Sequence, residues 1–260
     1  NTPSILVIDN RNQNIKVFAY CRKNPGVLVS NDGGTLTDES DDISLFRSLW
    51  TDQSGREVKP EKFFMVFQTS QGDFWFGTDI GPIRIPSNID MFTSNECYRL
   101  RIEDGDAFIM DNEEIRAIAE DNLGQLWFAT NTLGVYVLSP DAQSIIAHYT
   151  SDNSAMPSNS VLSLAWDNDH HVMYIGTTEG LVATGDIHAL GGIRGDSTNE
   201  EQNSDEGTML QWRHHPSYAT MQQVVATKKY IYGLANGALF SVNQSSDEIE
   251  YYNKMDGLHG

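Results

Sequence analysis

The chain has 260 residues, enough for a large buried core, and its 39% hydrophobic content suits a soluble globular protein. Its 36 acidic residues against 17 basic ones give a formal net charge of −19. That balance argues against nucleic acid, whose phosphates need clustered Lys and Arg, and against electrostatic docking on anionic lipid. No apolar stretch is long enough to span a bilayer, and the start at Asn1 without Met leads us to expect a mature protein or an excised piece.

Residues 1–60 are the least regular part. SILVID and IKVFAYC read as two strands, and GVLVSNDGGTLTDESDDISLFRSL supplies outer strands around an acidic loop of Asp32, Asp38, Glu39, Asp41 and Asp42. The loop does not match a calcium-binding EF-hand: Leu36 stands where an oxygen ligand belongs, and Ile43 replaces the closing Glu. A solvated loop is expected. Phe63–Pro86 (FFMVFQTSQGDFWFGTDIGPIRIP) then gives three short apolar runs separated by Gly turns. Asn88–Asp111 is long and mixed, and is expected to hold one outer strand and an insertion.

Glu113–Pro140 (EEIRAIAEDNLGQLWFATNTLGVYVLSP) repeats the three-run pattern, with SIIAHYT as a fourth strand and Ser151–Asn159 as a turn. Val161–Thr184 (VLSLAWDNDHHVMYIGTTEGLVAT) and Val224–Val242 (VVATKKYIYGLANGALFSV) repeat it again, with IEYY as the outer strand of the last unit. Between them, Asp186–Thr208 is Gly-rich, acidic and nearly free of large apolar residues, and reads as a disordered linker or an excursion. After MDGLHG another unit would be expected to begin.

Aligned on their central aromatic, the units place Trp75, Trp127, Tyr174 and Tyr232 in one column, about fifty residues apart, the period of propeller blades. A four-stranded antiparallel blade cannot bury both faces alone, so neighbours stack and share a core. The fold class is therefore all-β, a β-propeller of four-stranded antiparallel blades, about five of them visible. The boundaries read as 1–60 (degenerate), 61–112, 113–157 and 158–190, an acidic linker over 191–208, and a further blade over 209–260. The pairs Gly77-Thr78, Ala129-Thr130 and Gly176-Thr177 put a small residue where the blade is crowded. Gly81, Gly134, Gly180 and Gly237 each open a third strand, where a turn calls for positive φ. An incomplete ring leaves blade faces open, so dimerisation or poor solubility is expected.

Chemistry is sparse. Cys21 and Cys97 fall in different units without metal-ligand spacing, and two buried thiols are expected, a bridge between them remaining open. His170-His171 and His214-His215 are adjacent pairs, which do not face one metal. No nucleophile elbow, zincin motif or phosphate loop is present. Glu113-Glu114 and Glu120-Asp121 are carboxylate pairs, but Asp121 shares its strand-turn position with Asp167 and Asp9, and a residue repeated unit after unit is more simply a turn former. The aromatic column reads as core and not as a sugar platform. No enzyme, metal or cofactor is expected. Binding through loops remains, and Tyr98, Arg99 and Arg101 (YRLR) form a cationic-aromatic cluster suited to a partner surface or an anionic sugar. The competing reading is an outer strand with alternating exposed Arg.

The units resemble the two-component-regulator propeller repeat of Bacteroidetes, I-x-x-I-x-x-D-x-x-G-x-L-W-x-G-T-x-x-G-L. A closer resemblance is to PorZ-like proteins of the type IX secretion system. GTDIGPIRIP, LWFATNTLGVYVLSPDAQSIIAHYTSDNSAMPSNSVLSLA and YIGTTEGLVATGD are similar to the last blades of that family's first propeller. Residues 212–260 are similar to its opening blade. The order is thus permuted, and a joined chain, a permuted relative or a misassigned pair of similar blades all remain open. The family's propeller has seven blades. The resemblance implies a place at the outer-membrane surface, a cysteine-protease-like sortase as partner, and anionic lipopolysaccharide presented for attachment to cargo. The alternatives are a periplasmic glycan-sensing propeller of a hybrid two-component system, and a polysaccharide lyase or glycosidase.

Overall fold

A computed structural model describes residues 5–20, 24–35, 38–104, 107–186, 210–214, 220–246 and 248–252. They form five four-stranded antiparallel sheets, the blades of a β-propeller, and two short ribbons. Blade one is β1 (Ile5–Ile8), β2 (Ile15–Tyr20), β3 (Gly26–Asn31) and β4 (Ile43–Arg47). A ribbon of β5 (Trp50–Thr51) and β6 (Glu57–Val58) follows. Blade two is β7 (Phe63–Gln68), β8 (Phe74–Thr78), β9 (Gly81–Ile85) and β10 (Tyr98–Arg99), followed by the ribbon β11 (Glu103–Asp104) and β12 (Ala107–Phe108). Blade three is β13 (Ile115–Glu120), β14 (Leu126–Thr130), β15 (Val135–Leu138) and β16 (Ile145–Tyr149). Blade four is β17 (Val161–Asp167), β18 (Val172–Thr177), β19 (Gly180–Asp186) and β20 (Leu210–His214). Blade five is β21 (Met221–Ala226), β22 (Tyr230–Ala235), β23 (Ala238–Asn243) and β24 (Ile249–Tyr252).

The chain divides into two compact units, Asn1–His148 with Asn159–Val161, and Tyr149–Ser158 with Leu162–Gly260. In the first unit, Val17, Ala19, Val27 and Val29 of blade one pack with Phe63, Val66, Phe76 and Ile83 of blade two. The opposite face of blade two, through Trp75, packs with Ile118, Leu126, Phe128 and Tyr136 of blade three. In the second unit, Val172, Tyr174 and Leu181 share a core with Met221, Val224 and Phe240. Within each unit, these sheets thus bury each other's faces, as the repeat requires.

The recurring residues explain the recurring turn. Thr78, Thr130 and Thr177 are fully buried, and each hydroxyl donates to the carbonyl of the glycine opening the third strand, at 2.6, 2.8 and 2.9 Å. Gly81 and Gly134 adopt φ of 101° and 80°, a region that glycine enters without strain. The small residue before the Thr is also explained: a Cβ on Gly176 would lie 2.3 Å from Ser163 Oγ and 2.6 Å from Met221 Cγ. Trp75, Trp127 and Tyr174 of the aromatic column are buried, while Tyr232 is half-buried.

The described residues of 1–60, read as a degenerate blade, form a four-stranded sheet and the β5–β6 ribbon. Leu210–His214 does not open the last blade: it pairs with β19 and completes blade four, with Val182 opposite His214 and Asp186 opposite Leu210. The residues read as an inter-blade linker, 191–208, therefore stand between two strands of one blade, and they lie outside the described residues. The exposed edge of β19 explains the pairing, since an unpaired row of backbone groups takes a strand where one is available, and lengthening a loop adds little closure entropy. Cys21, His215 and the MDGLHG segment also lie outside the described residues.

Candidate binding site

The turns between first and second strands settle the role of the repeated carboxylates. Asp121 Oδ1 accepts the backbone N–H groups of Leu123 and Gln125, both at 2.9 Å, and Oδ2 accepts Trp127 Nε1–H at 2.9 Å. Asp167 accepts the N–H of Asp169 and meets the His170 ring at 2.8 Å. Asp9 accepts Arg11 and Gln68. These are turn formers. The paired histidines go to different neighbours, His170 to Asp167 and His171 onto the Trp166 ring. Among the described residues, no group of three or more His, Cys, Asp or Glu is arranged to hold a metal ion. In the acidic loop, Asp38 accepts from Ser40 and Asp32 pairs with Lys16. Cys97 is a buried free thiol, pushed up to about 12 by burial, with the Asp52 carboxylate adding to the effect.

Tyr98, Arg99 and Arg101 converge on a recess of about 320 Å³, together with Gln53, Trp75, Arg84 and Gln143. Its construction follows from strand register. Phe67, Trp75, Arg84 and Tyr98 lie directly opposite one another across β7, β8, β9 and β10 and so share one face of blade two. That face is turned to blade three. At its outer end the recess opens between β10 and the β15–β16 turn, where Ala142 and Gln143 lie. Tyr98 is 39% exposed and Trp75 only 1%.

The outer strand is only two residues long, and a side chain finishes it. Gln53, in the β5–β6 turn, accepts Arg99 N–H through Oε1 at 3.0 Å and donates Nε2–H to Arg99 O at 2.7 Å, as a further strand would. Its neighbour Asp52 receives Arg101 at 2.8 Å. Burial acts to raise the Asp52 carboxyl, but the N–H groups of Arg56 and Ser54 and the charge of Arg101 outweigh it and hold the group below its ordinary value.

Each arginine is matched to an acid. Arg84 meets Asp73 at 2.5 Å and lies over the Trp75 ring at 5.9 Å. Arg99 meets Asp111 at 2.6 Å and also donates to Ile80 O. Arg101 adds the face of Phe108, 4.9 Å away. Tyr98 and Arg99 form the outer strand β10 with Arg101 just beyond it, and both arginines are paired with acids and not freely exposed. They are fixed guanidinium planes in a charge-balanced setting.

Asp52, Gln53, Trp75, Arg84 and Gln143 were not singled out from sequence as site residues. A signal for the first two exists. Asp52-Gln-Ser-Gly55 has the Asp-x-x-Gly form of the blade turn Asp121–Gly124, and makes the same bonds: Gly N–H to Asp O at 2.8 and 3.0 Å, and Asp N–H to the fifth residue's carbonyl at 2.9 and 3.1 Å.

The stacked four-stranded antiparallel blades place the chain among the β-propellers. Residues 109–132, spanning β13, the Asp121 turn and β14, match the family model described as Two component regulator propeller. No curated protein sequence matches the chain. Among solved structures, the chain is similar to PorZ, described as an essential bacterial surface component of the type-IX secretion system of Porphyromonas gingivalis. The TM-score is 0.59 at 18% identity, over 95% of this chain and 37% of PorZ. It is also similar to the extracellular domain of a protein from B. thetaiotaomicron described as a hybrid two component system, with a TM-score of 0.54 at 14% identity, over 98% and 37%. A third is virginiamycin B lyase from Staphylococcus aureus, with a TM-score of 0.61 at 11% identity, over 96% and 69%. The chain thus spans little more than a third of the first two proteins. The structural likenesses show the β-propeller fold expected from sequence, and the family match places a two-component-regulator propeller repeat at residues 109–132. Among the described residues, no helix is long and apolar enough to cross a membrane.

Proposed function

We propose that the chain is a non-catalytic binding platform outside the inner membrane, of the kind PorZ represents at the bacterial surface. In this reading it engages the secretion system's sortase and an anionic lipopolysaccharide destined for cargo. The observation that carries it is the recess on blade two, where Tyr98 and three braced arginines surround a cavity of about 320 Å³. Rigid, pre-paired groups lose little freedom on binding, which favours recognition. Supporting a non-catalytic role, Asp121 serves a turn, Glu120 accepts from Ser70, Glu113 accepts from Thr132 and Glu114 pairs with Lys62 and Arg116, while Cys97 is buried with its thiol pushed up to about 12.

A second reading, a periplasmic propeller that senses a glycan fragment, is favoured by the repeat match at residues 109–132 and by likeness to a sensor's extracellular domain. The test is affinity capture by the full-length protein from outer-membrane extract, read by mass spectrometry and an anionic-polysaccharide blot. Recovery of sortase and polysaccharide is expected. Recovery of neither, with thermal stabilisation by a defined oligosaccharide instead, would move the assignment to the sensor.

A further inference from the structure

We infer that the blade-two recess holds an uncharged, hydroxyl-bearing sugar ring stacked on Tyr98, so that the platform reads the neutral part of a polysaccharide and not its charges. The inference rests on the glycan-binding reading above and names what its site selects.

Three observations carry it. The recess has no surplus of positive charge: Arg84, Arg99 and Arg101 are each met by one carboxylate, from Asp73, Asp111 and Asp52. A chain of net charge −19 adds nothing to attract an anion. An anionic group entering here would displace those carboxylates or remain partly unmatched.

The recess also has the parts a sugar needs. Tyr98 is the exposed aromatic at its rim, an amphipathic ring of the kind that packs on the apolar face of a pyranose. Around it stand planar polar groups, the guanidiniums and the Gln143 amide, whose remaining N–H and C=O groups suit hydroxyls, which both donate and accept. The volume is at the small end of ligand pockets, which run from roughly 300 Å³ upward, and so fits one or two sugar residues.

Finally, Trp75 lines the recess with a buried indole N–H that meets no acceptor. The homologous Trp127 gives its N–H to Asp121, six residues before it. Trp75 has Thr69 at that place, whose hydroxyl takes the N–H of Asp73. Buried donors are rarely left unmatched, and an orphan beside a cavity marks a place for a ligand or water oxygen.

The test uses the whole chain and a panel of monosaccharides in two classes: uncharged (glucose, galactose, mannose, N-acetylglucosamine, rhamnose) and acidic (glucuronate, mannose 1-phosphate). Binding is followed by ligand-observed NMR at about 50 and 500 mM NaCl, a range over which exposed charge attraction is largely screened. At least one uncharged sugar is expected to bind, with a Kd that changes less than about twofold with salt. Tyr98→Ala should weaken it about tenfold, roughly the loss of one stacking contact. Tyr98→Phe, which keeps the ring, and Leu123→Ala, on an exposed turn elsewhere, should bind as wild type. Binding of acidic sugars alone, with affinity falling about tenfold at high salt, overturns the inference and restores the anion reading. Binding by no sugar, or unaffected by Tyr98→Ala in a folded variant, also overturns it. If captured polysaccharide survives in that case, the proposed function stands and only the subsite is wrong.

Discussion

Asp121 is the residue at which the repeat's turn, its core and its aromatic column meet, and Asp121→Ala tests whether that junction holds blade three together. Three donors lose their acceptor at once. The Leu123 and Gln125 N–H groups sit at a turn that water reaches, so each loss costs about 0.5–1.5 kcal/mol. Trp127 is only 4% exposed, and its indole N–H loses the carboxylate that receives it, costing about 1–3 kcal/mol more. The total is about 2–6 kcal/mol, or a Tm lower by roughly 4–24 °C for a chain of this size. Thr69→Ala is the internal comparison. It removes one acceptor, for the buried Asp73 N–H, and involves no indole, so about 1–3 kcal/mol is expected. Differential scanning calorimetry and urea titration of both variants against wild type give the two values. If Asp121→Ala costs no more than Thr69→Ala, the carboxylate–indole bond contributes nothing and the argument from the aromatic column fails.

Gly176→Ala should destabilise by about 1–3 kcal/mol, because its Cβ would lie 2.3 Å from Ser163 Oγ and 2.6 Å from Met221 Cγ; an unchanged urea midpoint would show that these two side chains yield freely. Asp9 and Asp52 are both held below their ordinary values, their hydrogen bonds and ion pairs outweighing burial. A depressed folded-state value contributes stability above the unfolded carboxyl pKa, about 4, and loses it as pH falls through the folded one. Urea midpoints should therefore drop steeply below about pH 4, and less steeply in Asp52→Asn. A wild-type slope in that variant would contradict the pairing with Arg101. Cys97, its thiol pushed up to about 12, should resist iodoacetamide at neutral pH in the native protein and react in urea, as mapped by peptide mass; native labelling at Cys97 would contradict its burial.

The fold was readable because its controlling features are local and repeated. Apolar runs, the Asp turn, the buried Thr and the glycine before the third strand each act within one blade, so the sequence carries several copies of the same signal. What failed to be legible was non-local. Nothing in LQWRH marks it as the outer strand of a blade whose other three strands end at Asp186; only the open edge of β19 decides that. The candidate site divides the same way. Tyr98, Arg99 and Arg101 stood out as an Arg-aromatic run, yet their chemistry depends on acids distant in sequence: Arg101 on Asp52 and Arg84 on Asp73. Reading charge from YRLR alone therefore gave a cationic patch, where the fold makes a neutral one.

The central claim is that this propeller binds glycan at the outer end of blade two. The most direct measurement is retention of purified outer-membrane polysaccharide on immobilised wild type, Tyr98→Ala and Leu123→Ala protein, each first shown to be folded by its thermal transition. Retention by wild type and Leu123→Ala with loss in Tyr98→Ala is the predicted result. Equal retention by all three would place binding elsewhere on the chain, and retention by none would contradict the account.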